Sequence, residues 1–249
     1  MNAYGWIPDL PDKRDFLYVA PPEVTGKLPP RADLRSQCPP VYNQGELGSC
    51  TANAIAGAIE FDQGKEGMRE YIPSRLFIYY NERAKEGTVS IDAGAMLRDG
   101  IKSVASLGAC RESEWPYEIQ RFADRPTERC YEDAKKHRAI EYRRLGRDLT
   151  QLRGCVASGY PFTFGFTVYE SFESPEVAST GVAPLPEPGE SVVGGHAVLA
   201  VGYDDPSGRF IVRNSWGEAW GQAGYFTLPY EYATTRGLSA DFWTIRAVK

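Results

Sequence analysis

The residues of this chain best suited to chemistry are a cysteine, a histidine and two amides. Cys50 follows the glycine-containing segment 44–49 and begins a run with apolar residues at helical spacing, so its sulfur is expected at a helix N-terminus. Unpaired backbone N–H groups and the helix dipole favour a thiolate there. The alternative is that Cys50 is a small buried core residue, a common fate for a free cysteine.

His196 and Asn214 belong to two later segments that both have the pattern of strands. Residues 197–201 are apolar and end at a Gly-Tyr-Asp-Asp-Pro turn. In residues 210–214, successive side chains would point to opposite faces of a strand, with Phe210, Val212 and Asn214 on one face. A hairpin through 204–208 would place His196 and Asn214 side by side. A cysteine, a histidine and an amide that orients the histidine form a recurring set of nucleophile, base and orienting group. The alternative is a buried polar pair with a structural role only.

At these segments the chain resembles the papain-like cysteine peptidases, the C1 family. His196 follows Cys50 by 146 residues and Asn214 follows it by 164, in the order and at about the distances known for the family. The most specific motif is Asn-Ser-Trp-Gly-x-x-Trp-Gly-x-x-Gly-Tyr, which is intact over 214–225. A long N-terminal run without a large pro-domain is similar to the compact prokaryotic branch of the family.

The resemblance implies a role for each of these groups. Cys50 would attack a peptide carbonyl as the thiolate, and His196 would form the paired imidazolium and later protonate the leaving amine. Asn214 would accept a hydrogen bond from the other ring N–H of the histidine. Gln44 would donate to the developing oxyanion together with the backbone N–H of Cys50. The alternative for Gln44 is an amide that caps its loop.

The resemblance also implies substrate-binding residues. Gly94 and Ala95 occupy the place of a Gly-Gly ledge along which a peptide backbone would pair in strand fashion. Met96 and Leu97 would then form the wall of the second subsite and favour an apolar side chain. Packing of Met96 and Leu97 in the core of a helix is the alternative.

Four further residues would lie around the cysteine and histidine, and three of them, Gly195, Trp216 and Trp220, are predicted to contact the substrate. Trp216 resembles the indole that shields the hydrogen bond between histidine and asparagine, and Trp220 resembles the one that lines the leaving-group side; core packing is the alternative for both. Gly195 precedes the histidine where a polar residue is common in the family. Thr51 stands where the family has an aromatic residue after the nucleophile, which could change the entrance beside the sulfur of Cys50.

The elements that must position these residues change type along the chain. Helical patterns follow Cys50, open again at Pro73 and Ser74 with a stop at Gly87, and recur over about 95–107, whereas strand patterns dominate after 139. Residues 121–138 are polar and predicted at the surface, and the proline-rich segment 174–191 is predicted as a long loop. We therefore predict an α+β, papain-like two-lobed fold. A helical lobe (32–138) and an antiparallel β-barrel-like lobe (139–249) would meet in a cleft that holds the active site.

The N-terminal segment 1–31 has a composition of its own. Its prolines prevent a long helix, while its aromatic and aliphatic residues are too apolar for a free tail. We expect an extended strap docked on the folded body. Two interpretations stay open: a purely structural strap, or a strap that crosses the cleft and keeps the enzyme latent as a zymogen.

Composition limits partners and cofactors. A net charge of −5 argues against nucleic-acid binding, and the chain has no apolar stretch long enough for a membrane span. Only two histidines are present, so we expect no metal and no cofactor. The absence of a signal peptide makes a cytoplasmic location the default, with export by another route as the alternative. Cys38, Cys110, Cys130 and Cys155 are then either free or paired in one of three ways.

The function predicted from these residues is that of a cysteine endopeptidase, a hydrolase and thiol protease acting on a peptide or protein substrate. We expect a monomer. An acyl transferase that uses the same thioester intermediate is the first alternative. A non-catalytic peptide-binding relative is the second, but it would be expected to carry a defective set of active-site residues.

Overall fold

The computed structural model describes residues 3–68, 71–137 and 141–246. Its helices alternate with strands in a mixed order along the chain. The helices are α1 (Pro22–Thr25), α2 (Cys50–Lys65), α3 (Arg75–Glu86), α4 (Leu97–Leu107), α5 (Glu128–Ala134), α6 (Leu149–Ala157), α7 (Pro175–Thr180) and α8 (Tyr230–Thr234). Short 3₁₀ turns lie at Arg35–Gln37, Ile119–Arg121 and Glu170–Glu173.

The strands form two sheets. They are β1 (Trp6–Ile7), β2 (Arg31–Asp33), β3 (Ala95–Met96), β4 (Glu141–Arg144), β5 (Phe162–Tyr169), β6 (Val192–Asp204), β7 (Arg209–Arg213), β8 (Tyr225–Pro229) and β9 (Ser239–Arg246). The large sheet is antiparallel in the order β4-β9-β5-β6-β7-β8, with β2 added to β6, and β1 pairs in parallel with β3. Strands β4 and β8 end this order without pairing to each other, so the sheet of the described residues does not close into a barrel.

Helix α2 lies at the centre of the molecule. It packs against β6 on one side and against α3 and α4 on the other. Its Ala and Gly positions allow this close approach: at Gly57 a Cβ atom would lie 2.4 Å from the Arg213 guanidinium of the sheet. Because Cys50 is the first residue of α2, the nucleophile is held where the helical part meets the sheet.

Helix α3 begins and ends as the sequence predicts. The Ser74 side chain caps it by accepting a hydrogen bond from the backbone N–H of Phe77. Gly87 ends it in the left-handed conformation, with φ of 75°. Both signals are local, which is why the sequence alone revealed them.

Three coarser predictions differ from the structure. The polar segment 121–138 contains α5, whose Cys130 and Ala134 are buried, so it is not simply surface. The predicted loop 174–191 contains the short helix α7, because Ser174 caps it and Pro175 is accommodated at its first position. The helix predicted from about 95 begins at Leu97, since Ala95 and Met96 pair with the N-terminal segment instead. The predicted boundary at 138/139 lies outside the described residues.

The N-terminal segment is docked on the body over most of its described length. Trp6 and Ala20 are buried in the core, and the Gly5 region pairs with residues of both lobes. Strand β2 continues from it into the large sheet, so the predicted limit at residue 31 falls at the first residue of a strand. None of the helices in the described ranges is long and apolar enough to cross a membrane. All five cysteines carry free thiols.

Candidate active site

The sulfur of Cys50 lies at the junction between α2 and strand β6. The residue is fully buried, and Sγ accepts a hydrogen bond of 3.4 Å from the backbone N–H of Ala197. Helix α2 has no side-chain cap at Ser49, so its first N–H groups have no capping side chain ahead of the cysteine. The predicted position of the cysteine at a helix N-terminus is therefore present in the structure.

His196 and Asn214 are brought together by the hairpin of β6 and β7. The ring Nε2 of His196 and Oδ1 of Asn214 are 2.8 Å apart, and both residues are buried. The same oxygen accepts the backbone N–H of Ser215 at 2.8 Å, which fixes the amide. The Trp216 ring stacks on the imidazole with centroids 4.8 Å apart and covers this pair, and Trp220 packs edge-on against Trp216 at 5.0 Å.

Gln44 is held by hydrogen bonds at every polar atom of its side chain. Oε1 accepts from the Ser215 hydroxyl at 2.6 Å, and Nε2 donates to the carbonyl oxygens of Leu47 at 2.9 Å and Ala3 at 3.1 Å. The contact with Ser215 directs Oε1 away from the cleft. Nε2 consequently faces a peptide carbonyl, the kind of group that an oxyanion donor must meet.

The loop that carries Gln44 is anchored by residues that the sequence analysis did not identify. The hydroxyl of Tyr117 donates to the carbonyl of Gln44 at 2.9 Å and shares a 2.5 Å hydrogen bond with the Ser49 hydroxyl. The Arg75 guanidinium packs between the rings of Tyr117 and Tyr42, 4.0 and 4.6 Å from their centroids. These contacts join residues far apart in the chain, so no local pattern in the sequence could have indicated them.

The strap, residues 3–18 of the N-terminal segment, passes through the cleft. The backbone N–H of Gly5 donates to the carbonyl of Gly195 at 3.1 Å, and its carbonyl accepts from the N–H of Ala95 at 2.7 Å. One strap residue therefore bridges the two walls of the cleft, with β1 pairing along β3. The ring of Tyr4 lies edge-on to His196, with centroids 5.9 Å apart.

Glycines on the cleft walls make this passage possible. A Cβ atom at Gly94 would lie 2.2 Å from the Gly5 carbonyl oxygen, and one at Gly195 would lie 2.6 Å from the carbonyl oxygen of Trp6. A Cβ atom at Gly5 itself would lie 1.7 Å from the carbonyl oxygen of Gly48. Strap and walls therefore meet backbone to backbone.

Burial by the strap sets the charge state of the cysteine and the histidine. Burial raises the pKa of Cys50 to about 12, although the backbone N–H groups of Ala197 and Gly5 favour the thiolate. Burial lowers the pKa of His196 to about 4, although the hydrogen bond that Asn214 Oδ1 accepts from the ring raises it. With the strap docked, the pair is a neutral thiol and a neutral imidazole, unlike the ion pair expected of an active enzyme. The Nδ1 atom of His196 is buried and has no hydrogen-bond partner within the described ranges.

The predicted subsite residues fall in two groups. Gly94, Ala95 and Gly195 contact the strap, and half-buried Met96 pairs with Ile7 of the strap. Leu97 is fully buried at the start of α4 and lies in the core, in line with the packing alternative. A role in substrate binding stays a prediction for the first group.

The sequence position of Thr51, directly after Cys50, suggested that it lies at the entrance beside the sulfur. In the structure it does not. It is fully buried, and its hydroxyl donates to Oε1 of Glu82 at 2.6 Å. Glu82 is also fully buried, and burial raises its pKa well above the usual value of a glutamate. Among the residues that the structure describes, no group of three or more His, Cys, Asp or Glu side chains could hold a metal ion.

Comparison with known proteins identifies the family. The model of the papain family of cysteine proteases matches residues 28–242. The chain belongs to this family. An uncharacterized peptidase C1-like protein of Acanthamoeba polyphaga mimivirus is 40% identical over 98% of this chain and 87% of its own length. Mouse cathepsin K is 31% identical over 86% of this chain and 63% of its own length.

Solved structures of papain-family proteins have the same fold. Xylellain, a cysteine protease from Xylella fastidiosa, superposes with a TM-score of 0.93 at 45% identity, over 100% of this chain and 97% of xylellain. A procathepsin B from Trypanosoma congolense superposes with a TM-score of 0.79 at 16% identity, over 99% of this chain and 86% of that protein, which shows the fold alone. The predicted papain-like α+β fold and the cysteine peptidase class are thereby confirmed.

Proposed function

We propose that the chain is a papain-family endopeptidase in which Cys50, His196, Asn214 and Gln44 perform the chemistry. The observation that supports this most directly is the 2.8 Å contact between His196 and Asn214, beside a cysteine at the N-terminus of α2. The sulfur of Cys50 would attack the carbonyl carbon of a peptide bond. The arrangement supplies a nucleophile, a base and an orienting amide from opposite sides of one cleft.

The reaction then follows from the chemistry of these groups. His196 takes the proton of the Cys50 thiol, and the thiolate adds to the peptide carbonyl. Gln44 Nε2 and the Cys50 backbone N–H stabilise the oxyanion, and the imidazolium protonates the leaving amine. Loss of the amine leaves a thioester between the acyl group and Cys50. His196 then takes a proton from water, the oxygen of that water adds to the thioester carbonyl, and the C–S bond breaks to release the acid and return the thiol. In every step, Asn214 keeps the imidazole of His196 in the same orientation through its contact with Nε2.

We further propose that the strap keeps the enzyme latent. It fills the cleft over a fully buried Cys50, and the strap group that favours the thiolate is the backbone N–H of Gly5, which is not an electrophile. The raised pKa of the cysteine and the lowered pKa of the histidine remove the ion pair while the strap is docked. Departure of the strap would admit water and allow the ion pair to form.

The experiment compares single variants in a full-length protein whose strap is opened by Gly5→Ala. Hydrolysis of casein and labelling by an epoxide peptide inhibitor directed at thiols are both measured. Cys50→Ala should abolish labelling and hydrolysis, and Gln44→Ala should lower kcat ~10²–10³-fold with a smaller change in KM, because one oxyanion donor is lost. Gln37→Ala, at an exposed amide outside the cleft, is the matched control. Unchanged kcat in Gln44→Ala would contradict the oxyanion assignment, and hydrolysis by Cys50→Ala would contradict the mechanism.

A further inference from the structure

The strap carries three aspartates that dock on a basic surface beside the cleft. Asp9, Asp12 and Asp15 recur at intervals of three residues. The basic groove is defined here as Arg98 and Lys102 of α4 with Arg144 at the end of β4. Arg98 and Lys102 are four residues apart and therefore share one helix face.

Each basic residue is engaged by strap carboxylates. The Arg98 guanidinium donates to Asp15 through Nη2 at 2.6 Å and through Nε at 3.1 and 3.2 Å. Lys102 Nζ contacts Asp12 at 3.3 Å and Asp15 at 3.6 Å. Arg144 Nη1 donates to Asp15 at 3.1 Å. The side chains of Arg98 and Asp15 are 7% and 2% exposed, so water screens this pair little.

Asp9 completes the contact where the groove meets the cleft. Its carboxylate accepts the backbone N–H of Arg98 at 3.0 Å and the indole N–H of Trp243 at 2.9 Å. Its own N–H donates to the carboxylate of Asp241 at 2.8 Å. Strap residues 6–7 pair with β3, and β3 leads directly into α4, so cleft and groove form one continuous track.

Undocking of the strap would leave mainly hydrogen-bond donors in this track. These donors are the backbone N–H and guanidinium of Arg98, the ammonium of Lys102, the guanidinium of Arg144 and the indole N–H of Trp243. The carboxylate that stays within the groove is Asp241, which Arg144 already neutralises through a 2.9 Å contact. Buried donors without partners are costly, and the positive charges of Arg98, Lys102 and Arg144 favour anionic acceptors over neutral ones.

Other charged groups near the basic groove do not cancel its positive charge. Glu86 accepts the backbone N–H of Met96 at 2.8 Å, and burial raises its pKa to about 7. Asp99 lies next to Arg98 in the chain and contacts Lys85 at 3.8 Å. Arg14 pairs with Asp12, but it belongs to the strap and would leave with it.

We propose that the basic groove is an extended substrate site that selects peptides with acidic residues at positions distant from the scissile bond. The inference rests on the proposed peptidase function of the cleft. Counted from Gly5, whose backbone N–H favours the Cys50 thiolate, Asp12 and Asp15 lie seven and ten residues further on, so the acidic positions of a substrate lie about that far from the cleaved bond. Asp9 is not counted, because burial raises its pKa to about 6 and its site therefore does not favour a carboxylate. The whole protein carries a net charge of −5, so a preference for acidic peptides must come from this local surface.

The test uses fluorescent peptides that share one cleavable sequence and differ at two positions only. These positions, seven and ten residues from the scissile bond, carry aspartate, asparagine or lysine. One set of peptides places them before the bond, and a second set places them after it. The protein is the full chain with the strap weakened by Gly5→Ala, Asp12→Asn and Asp15→Asn. Binding is measured by anisotropy in a Cys50→Ala version, and kcat/KM is measured in the version with Cys50 intact.

The aspartate peptide of one of the two sets is expected to bind ~10-fold or more tightly than the matching asparagine peptide at low ionic strength, and the ratio should fall as salt rises. Lys102→Gln should reduce the ratio several-fold while the asparagine peptide binds as before. Lys135→Gln, which removes a positive charge from the exposed end of α5, should leave the ratio unchanged.

Equal binding of the aspartate and asparagine peptides in both sets would overturn the inference, as would a preference that Lys135→Gln reduces as much as Lys102→Gln does. Tight binding of the aspartate peptide without hydrolysis of any peptide would instead contradict the peptidase function and leave the groove assignment standing. Hydrolysis of all three peptides at equal kcat/KM in both sets would contradict the groove assignment alone.

Discussion

A single methyl group at Gly5 should displace the docked strap and open the cleft. The backbone of Gly5 does not have a positive φ, so alanine is permitted locally. The obstacle is the carbonyl oxygen of Gly48, which would lie 1.7 Å from the new Cβ atom. Because Gly48 belongs to the anchored loop that carries Gln44, the strap is the element that must move.

The size of the effect follows from the contacts that such a movement breaks. Relieving the overlap requires a shift of more than ~1 Å, which disrupts the hydrogen bonds of Gly5 to Gly195 and Ala95 and that of Ala3 to Gln44. At about 1 kcal/mol net for each hydrogen bond, the loss is about 3 kcal/mol. Since every 1.4 kcal/mol is tenfold, the population of open molecules should rise ~10²-fold.

The assay is the second-order rate at which the thiol-directed epoxide peptide labels Cys50, read from intact mass at pH 7. The Gly5→Ala protein should label ~10²-fold faster than the wild-type chain. Gly146→Ala is the matched control, because its Cβ atom would have open space around it and its backbone also lacks a positive φ. Labelling at the wild-type rate by a folded Gly5→Ala protein, judged by its thermal unfolding, would refute the reasoning. Rapid labelling of the wild-type chain would show that the docked strap does not restrain Cys50.

Two further predictions concern buried carboxyl groups with raised pKa values. Burial, with a contribution from Asp241, raises the pKa of docked Asp9 to about 6, so docking takes up a proton and should weaken as pH rises from about 5 to 7. The labelling rate of the wild-type chain relative to Gly5→Ala should rise over that range, and Asp9→Asn should flatten the ratio; a ratio that falls with pH would contradict this. Burial raises the pKa of Glu82 well above its usual value, so folding stability should fall as pH increases, and Glu82→Gln should remove that fall. Thermal unfolding from pH 5 to 9 checks this second prediction, and a constant difference in Tm between the two proteins would oppose it.

The sequence determined the class of the protein because its decisive signals are local or motif-based. The helix beginning at Cys50, the Ser74 cap and the Gly87 terminator depend on neighbours within a few residues, and the run 214–225 is a family motif in one continuous stretch. Their order along the chain was sufficient to predict an enzyme with a cysteine, a histidine and an asparagine at one site.

Only the tertiary structure decided which partners each of these groups has. The anchoring of Gln44 by Ser215 and Tyr117 joins segments more than 70 residues apart, and such contacts leave no periodic trace in a sequence. The path of the strap requires its backbone to lie directly against the backbone of the cleft, as Gly5 does against Gly48. No pattern of residues in the sequence indicates such a contact. The charge state of Cys50 and His196 depends on burial, and burial is a property of the assembled fold. The sequence therefore predicted which groups could react, while packing determined whether they are exposed, charged and accessible to a substrate.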